Sequence, residues 1–172
     1  MNTEVPMTAE KKWYLIHLRR NSERKVADLL LKKGIEIYYP VNKLTKSKQQ
    51  KDVLNYMPLF EHRMFVNVMS KQIPAVLQTD GVLNFFYWLN SYAIIRNEDI
   101  EAMKIFLQIY NDVWHEKTDL FANDFSGPGN NMHINDSSAT PERVIEKILL
   151  PSLGYYLLAE VEIKEEVFQH AI

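Results

Sequence analysis

Between Trp13 and Tyr110 short apolar runs alternate with amphipathic stretches in the order β-α-β-β-α-β-α, and this order limits the fold more than any other feature of the sequence. Trp13-Tyr14-Leu15-Ile16-His17-Leu18 is apolar, aromatic and β-branched, and short enough for a buried strand. Asn21 or Ser22 is placed to cap a helix in which Val26, Leu29 and Leu30 share one face. Gly34 ends that helix, because glycine adopts the left-handed conformation at little cost. Ile35-Glu36-Ile37-Tyr38-Tyr39 forms a second strand, closed by Pro40, which has no N–H for a ladder.

Residues 42–55 carry Lys43, Lys46, Lys48 and Lys51 among polar neighbours and read as a long basic hairpin or a mobile loop. Residues 64–68 give a third strand and residues 74–79 a short helix, with Pro74 tolerated in its first turn. Asp80-Gly81 breaks that helix, and the aromatic run 82–88 is a fourth strand. After a turn at Asn90-Ser91 and an extended piece 93–95, Asn97 is placed to cap a helix. Glu98, Asp99 and Glu101 in its first turn suit the helix dipole, and Ile100, Met103, Leu107 and Tyr110 mark one face. The expected class is α+β: a ferredoxin-like sandwich, with an antiparallel sheet and helices packed on one side.

Beyond Trp114 the composition changes. Residues 123–140 are rich in Asn, Ser, Gly, Asp and Pro, as loops are, and residues 143–150 and 154–161 read as two strands joined at Pro151-Ser152-Leu153-Gly154. A lone strand pair is marginal and must pack on something. The division expected is a domain over 11–111, a linker or irregular segment over 112–142, and C-terminal strands over 143–172.

Charge is unevenly spread. From Glu10 to Arg63 there are 13 Lys/Arg against 6 Asp/Glu, whereas from Glu98 onward there are 5 against 14. The basic half is suited to a polyanion, the acidic half to a basic partner or to water, and a drift in the composition of solvated faces is the plainer alternative. With no cysteine, disulfides, thiolate zinc sites and cysteine nucleophiles are excluded. No apolar run reaches the roughly 18 residues that span a bilayer, and 1–12 is polar, so a cytoplasmic protein without a membrane partner is expected. The five histidines lack metal-site spacing, Ser126-Gly127-Pro128-Gly129 is not a phosphate-binding loop, and no nucleophile elbow is present. These features argue against an enzyme and call for no cofactor and no metal.

Six segments, in order, resemble the NusG family, and more closely its specialised paralogues RfaH and the capsular-polysaccharide-operon antiterminators called UpxY. They are Trp13-Tyr14-Leu15, Glu23-Arg24-Lys25-Val26-Ala27, Gly34-Ile35-Glu36, Pro58-Leu59-Phe60 leading to Phe65-Val66, Thr79-Asp80-Gly81-Val82, and Asn97-Glu98-Asp99-Ile100-Glu101-Ala102. The resemblance implies a NusG N-terminal (NGN) sandwich followed by a small β module of KOW type. It implies a transcription elongation or antitermination regulator that binds the clamp helices of the RNA polymerase β′ subunit through an apolar depression. Trp13, Tyr14, His17, Phe60 and Phe65 are then the expected polymerase-binding residues, in keeping with the value of aromatic anchors at interfaces. Phe60→Ala is expected to weaken that binding and leave the fold intact. The alternative that these rings are simply core stays open.

The specialised members also imply contact with the non-template DNA strand, here through Arg19, Arg20, Arg24 and Lys25, extended by Lys46, Lys48 and Lys51 from the hairpin. Such contact would be salt-sensitive. Three departures stand out. Glu61-His62-Arg63 replaces the usual Pro-Gly-Tyr turn, and Gln72-Ile73-Pro74-Ala75 replaces a threonine-rich contact. The KOW module is shortened, which weakens the expectation of ribosome or Rho recruitment. A second reading is a protein-binding module that has lost polymerase contact and regulates a paralogous NusG-like factor.

Overall fold

The computed structural model describes residues 10–48, 51–118 and 143–162, with side chains described outside 45–54. The 123–140 stretch expected to be loop lies outside the described residues.

Strand β1 (Lys12–Leu18) is the centre around which the rest is ordered. The chain continues through α1 (Glu23–Lys32), β2 (Glu36–Tyr38), the hairpin of β3 (Val41–Lys48) and β4 (Lys51–Pro58), and β5 (Arg63–Val68). A 3₁₀ turn, Ser70–Gln72, leads into α2 (Ile73–Leu77). Then come β6 (Val82–Phe85), β7 (Tyr87–Trp88), β8 (Ser91–Tyr92), β9 (Ile94–Ile95) and α3 (Asn97–Ile109). The main sheet runs β2-β5-β1-β6, all antiparallel, with β9 also on β1. A second, three-stranded sheet has the order β10-β12-β11, from β10 (Trp114–Lys117), β11 (Arg143–Leu150) and β12 (Tyr155–Glu162).

Successive side chains of β1 point to opposite faces, and both faces are covered. Tyr14, Ile16 and Leu18 pack with Val26 and Leu30 of α1 and Ile73 and Val76 of α2. Trp13 and Leu15, with Phe65 of β5, pack against Ile100, Met103, Phe106 and Leu107 of α3 and Leu150, Leu157 and Ala159 of the second sheet. The α+β sandwich is therefore present, but α3 lies on the face opposite α1 and α2. A strand buried on both faces needs an unbroken apolar run, as 13–18 supplies.

The expected caps differ. The Ser22 hydroxyl donates to the Arg19 carbonyl instead of accepting from the helix, and Asn21 sits in the left-handed region at φ 60. Asn97 is the first residue of α3, whose N-cap is Arg96. The expected fourth strand breaks at Phe86, because Leu89 and Asn90 both take positive φ (45 and 63) and fold 87–92 back on itself. Trp114–Lys117, expected within a connecting segment, forms β10 on β12.

Gly81 holds α1 against β6. At φ +100 it is in a region that side chains avoid, and a Cβ there would stand 2.7 Å from Val26 Cγ2. Its carbonyl also accepts from the Arg19 N–H at 2.8 Å. Gly81→Ala is expected to lower stability by about 1–3 kcal/mol, measured by urea denaturation.

Candidate functional site

A hollow of about 630 Å³ opens between the main sheet and the turn joining β11 to β12. Antiparallel partners share a face, so the pair Leu15↔Phe65 and Arg63, whose partner is His17, fall on the same side of the sheet, and Leu15, Phe65 and Arg63 line the hollow's base. Phe60 lies beside them, edge-on to Phe65 at 6.2 Å. One wall is built from Phe86–Trp88 and Ser91–Ile95, the other from Pro151–Tyr155. The first wall is unusually bare: Trp88 is 64% exposed, with Tyr87 and Ile94 also exposed, and Leu89 at the turn beside it is 86% exposed. Leu89 pairs that exposure with a left-handed backbone, strain that a β-turn ordinarily relieves with Gly or Asn.

The five expected polymerase-binding residues do not come together. Strand alternation puts Tyr14 on the opposite face, where its ring meets Phe85 at 5.7 Å. Trp13 is buried on the α3 side, with Lys104 Nζ 5.8 Å above it. Phe60 and Phe65 form the buried floor, at 4% and 0% exposure. His17 is half-buried and stacked on Phe86 at 3.9 Å. Sequence reasoning missed Arg63, Trp88 and Ile94 as parts of the hollow. The available signal was four consecutive aromatics, 85–88, more than one strand face can bury.

The second sheet closes the far side of the hollow. The Phe60 ring lies 4.8 Å from His115 and 6.0 Å from Tyr155. The buried Asp99 at the start of α3 fixes the 151–154 turn: it accepts from the Ser152 N–H at 2.8 Å and from the Ser152 hydroxyl, and pairs with Arg96 at 2.7 Å. Asn42 ties β3 to the start of β10, its side chain donating to the Val113 carbonyl and accepting from the Val113 N–H.

Burial, and then the Arg63 charge, push the pKa of both His17 and His115 below the ordinary 6.5. The folded state thus favours neutral imidazoles, while the unfolded chain takes up protons first. Stability is full above about pH 6.5 and declines as pH falls below it toward the depressed values. Thermal melts at pH 7.5 and 5.5 are expected to show a lower midpoint at the acidic pH, smaller in a His115→Phe variant.

The expected nucleic-acid residues just before α1 (Arg19, Arg20) and on it (Arg24, Lys25) are solvent-facing. Arg19 and Lys25 share Asp80, whose carboxyl Lys25 holds below its usual range. Arg20 and Arg24 have no ion-pair partner among the described residues. Lys46 and Lys48 lie on β3 and Lys51 on β4, with Lys48 opposite Lys51 in register. No helix of the described residues is long and apolar enough to cross a membrane.

A family model described as transcription termination factor nusG matches residues 11–104. Among solved structures, one described as domain interaction in Thermotoga maritima NusG is similar at 15% identity and a TM-score of 0.38, over 64% of this chain and 63% of that one. The chain thus spans under two thirds of that protein's length. No curated protein matches the sequence. The family match covers more than half of the 172 residues, including the floor and one wall of the hollow, and on that match the chain belongs to the NusG family.

Proposed function

We propose that the chain is a regulator of transcript elongation or antitermination that docks on RNA polymerase, its hollow receiving the tip of the β′ clamp helices. The observation that carries this reading is the exposed wall of Tyr87, Trp88 and Ile94 beside the buried Phe60–Phe65 floor. Large rigid rings in a concave, apolar setting suit an incoming helix. Within this reading Phe60 and Phe65 shape the floor, His17 braces Phe86, and Trp88 and its neighbours make the contact. Trp13 and Tyr14 act only through the core. The likeness of the quoted segments to capsular-operon antiterminators supports action on polysaccharide operons.

Residues 11–111 serve in this account as the docking domain and 143–172 as a shortened KOW-like module, with β10 bridging them. Because one face of the second sheet packs on α3, any recruitment of ribosome or Rho through this module falls to its exposed residues, such as Ile145 and Leu149. The test is reconstituted elongation with the cognate polymerase at a defined pause or terminator. Added protein is expected to change pause lifetime or readthrough, and no change at saturating protein contradicts the proposal.

Arg20, just before α1, and Arg24, on it, are exposed cations without an ion-pair partner among the described residues, free to meet the non-template strand. Arg24→Ala is expected to weaken retention of single-stranded DNA and to reduce the slope of log affinity against log salt by about 0.7, the value of one phosphate contact. Filter binding over a salt series measures both.

The burial of Phe60 and Phe65 favours one second reading, a module that acts on a paralogous NusG-like factor without touching polymerase. Co-purification with such a paralogue and not with polymerase would select it.

A further inference from the structure

We propose that Arg63 reads a carboxylate on the docked partner, so that the clamp-helix segment entering the hollow carries an Asp or Glu which pairs with the Arg63 guanidinium. This rests on the docking reading above and adds the chemistry of the partner's contact surface.

Arg63 is the one charged residue among those lining the hollow, and its neighbours there are aromatic, aliphatic or small. Its guanidinium lies 5.3 Å from the centre of the Phe86 ring, a ring also stacked by His17. The cation is thereby held in place before any partner arrives, which lowers the ordering cost of binding. Among the described residues no carboxylate stands within ion-pair distance of it. The neighbouring Glu61 is exposed, and Glu23 pairs with His62 at 2.8 Å.

A helix seated against Phe86, Trp88 and Ile94 would strip water from this cation. A buried guanidinium without an acceptor is costly, so a partner surface lacking an acid at that point is rejected, while one carrying it gains a planar, two-pronged hydrogen-bonded pair. His17 and His115, whose depressed pKa values keep them neutral near pH 7, do not compete for the acid. Arg63 falls in the Glu61-His62-Arg63 segment, one of the places where the sequence departs from its relatives' usual turn. The departure therefore reads as a change of partner specificity.

The test titrates the full chain with the isolated β′ clamp-helix hairpin of the cognate polymerase, and with hairpins in which each acidic residue is singly replaced by arginine. Near-ultraviolet circular dichroism checks each variant's fold. Arg63→Gln is expected to weaken binding by about tenfold or more, Arg63→Lys by about threefold, and Arg63→Glu to abolish it. One acid-to-arginine hairpin is expected to restore binding to Arg63→Glu. If Arg63→Gln binds as the unaltered chain does while Trp88→Ala binds weakly, docking stands and the carboxylate inference falls. A loss in Arg63→Glu that no hairpin variant repairs also overturns it, and would point to a free carboxylate ligand in its place. If the unaltered chain does not bind the hairpin, both readings fall.

Discussion

Phe60→Ala is expected to lower stability by about 3–5 kcal/mol, the range for deleting a buried phenylalanine, and not to leave the fold intact as the sequence suggested. Its ring is in the core, sits edge-on to Phe65 and touches His115 and Tyr155. Removing it opens a cavity at the place where the main sheet meets the second one. Chemical denaturation measures the loss. Trp88→Ala is the informative contrast, since that side chain is largely bare in the free protein. It is expected to change stability by no more than about 0.5 kcal/mol and to weaken polymerase binding by about 2 kcal/mol or more. A Phe60 variant as stable as the original chain would show that the floor is not packed as described.

Asp99→Ala is expected to release the β11–β12 turn. The carboxylate is buried and meets three donors, two of them on Ser152. Its loss strands the Ser152 N–H and leaves Arg96 without its partner, at a cost of about 2–4 kcal/mol. Amides of β11 and β12 should exchange at least about tenfold faster, while those pairing β1 with β5 keep their protection. Uniform acceleration across both sheets would instead mean that Asp99 stabilises the whole chain and latches nothing.

What the sequence disclosed follows from what local patterns can encode. β1 was legible because a strand covered on both faces needs a continuous apolar run. β11 and β12 were legible for their length and for the turn residues between them. Helix caps were less so: Ser22 has a competing acceptor in the Arg19 carbonyl, produced by the path of the chain and invisible in the local sequence. Trp114-His115-Glu116-Lys117 has no alternation, and its strand exists only because β12 lies beside it. The side of the sheet taken by α3 depends on where β9 ends, which periodicity does not report.

The hollow was half legible. Phe60 and Phe65 came from family resemblance, and their burial required the second sheet, which no local signal places over them. Trp88 was hidden at the end of an apparent strand, 82–88, because the turn expected at Asn90-Ser91 reaches back to Leu89, whose left-handed backbone no local residue type signals. Arg63 was noticed as a departure, but its place over Phe86 depends on the β1–β5 register.

The central claim is that the 86–95 wall faces the polymerase β′ clamp helices. A photo-crosslinking residue placed at Trp88, in the full chain bound to a halted elongation complex, tests it directly. The account predicts a crosslink that maps to the clamp helices of β′; a bound complex whose crosslinks fall on other subunits, or on none, would contradict it.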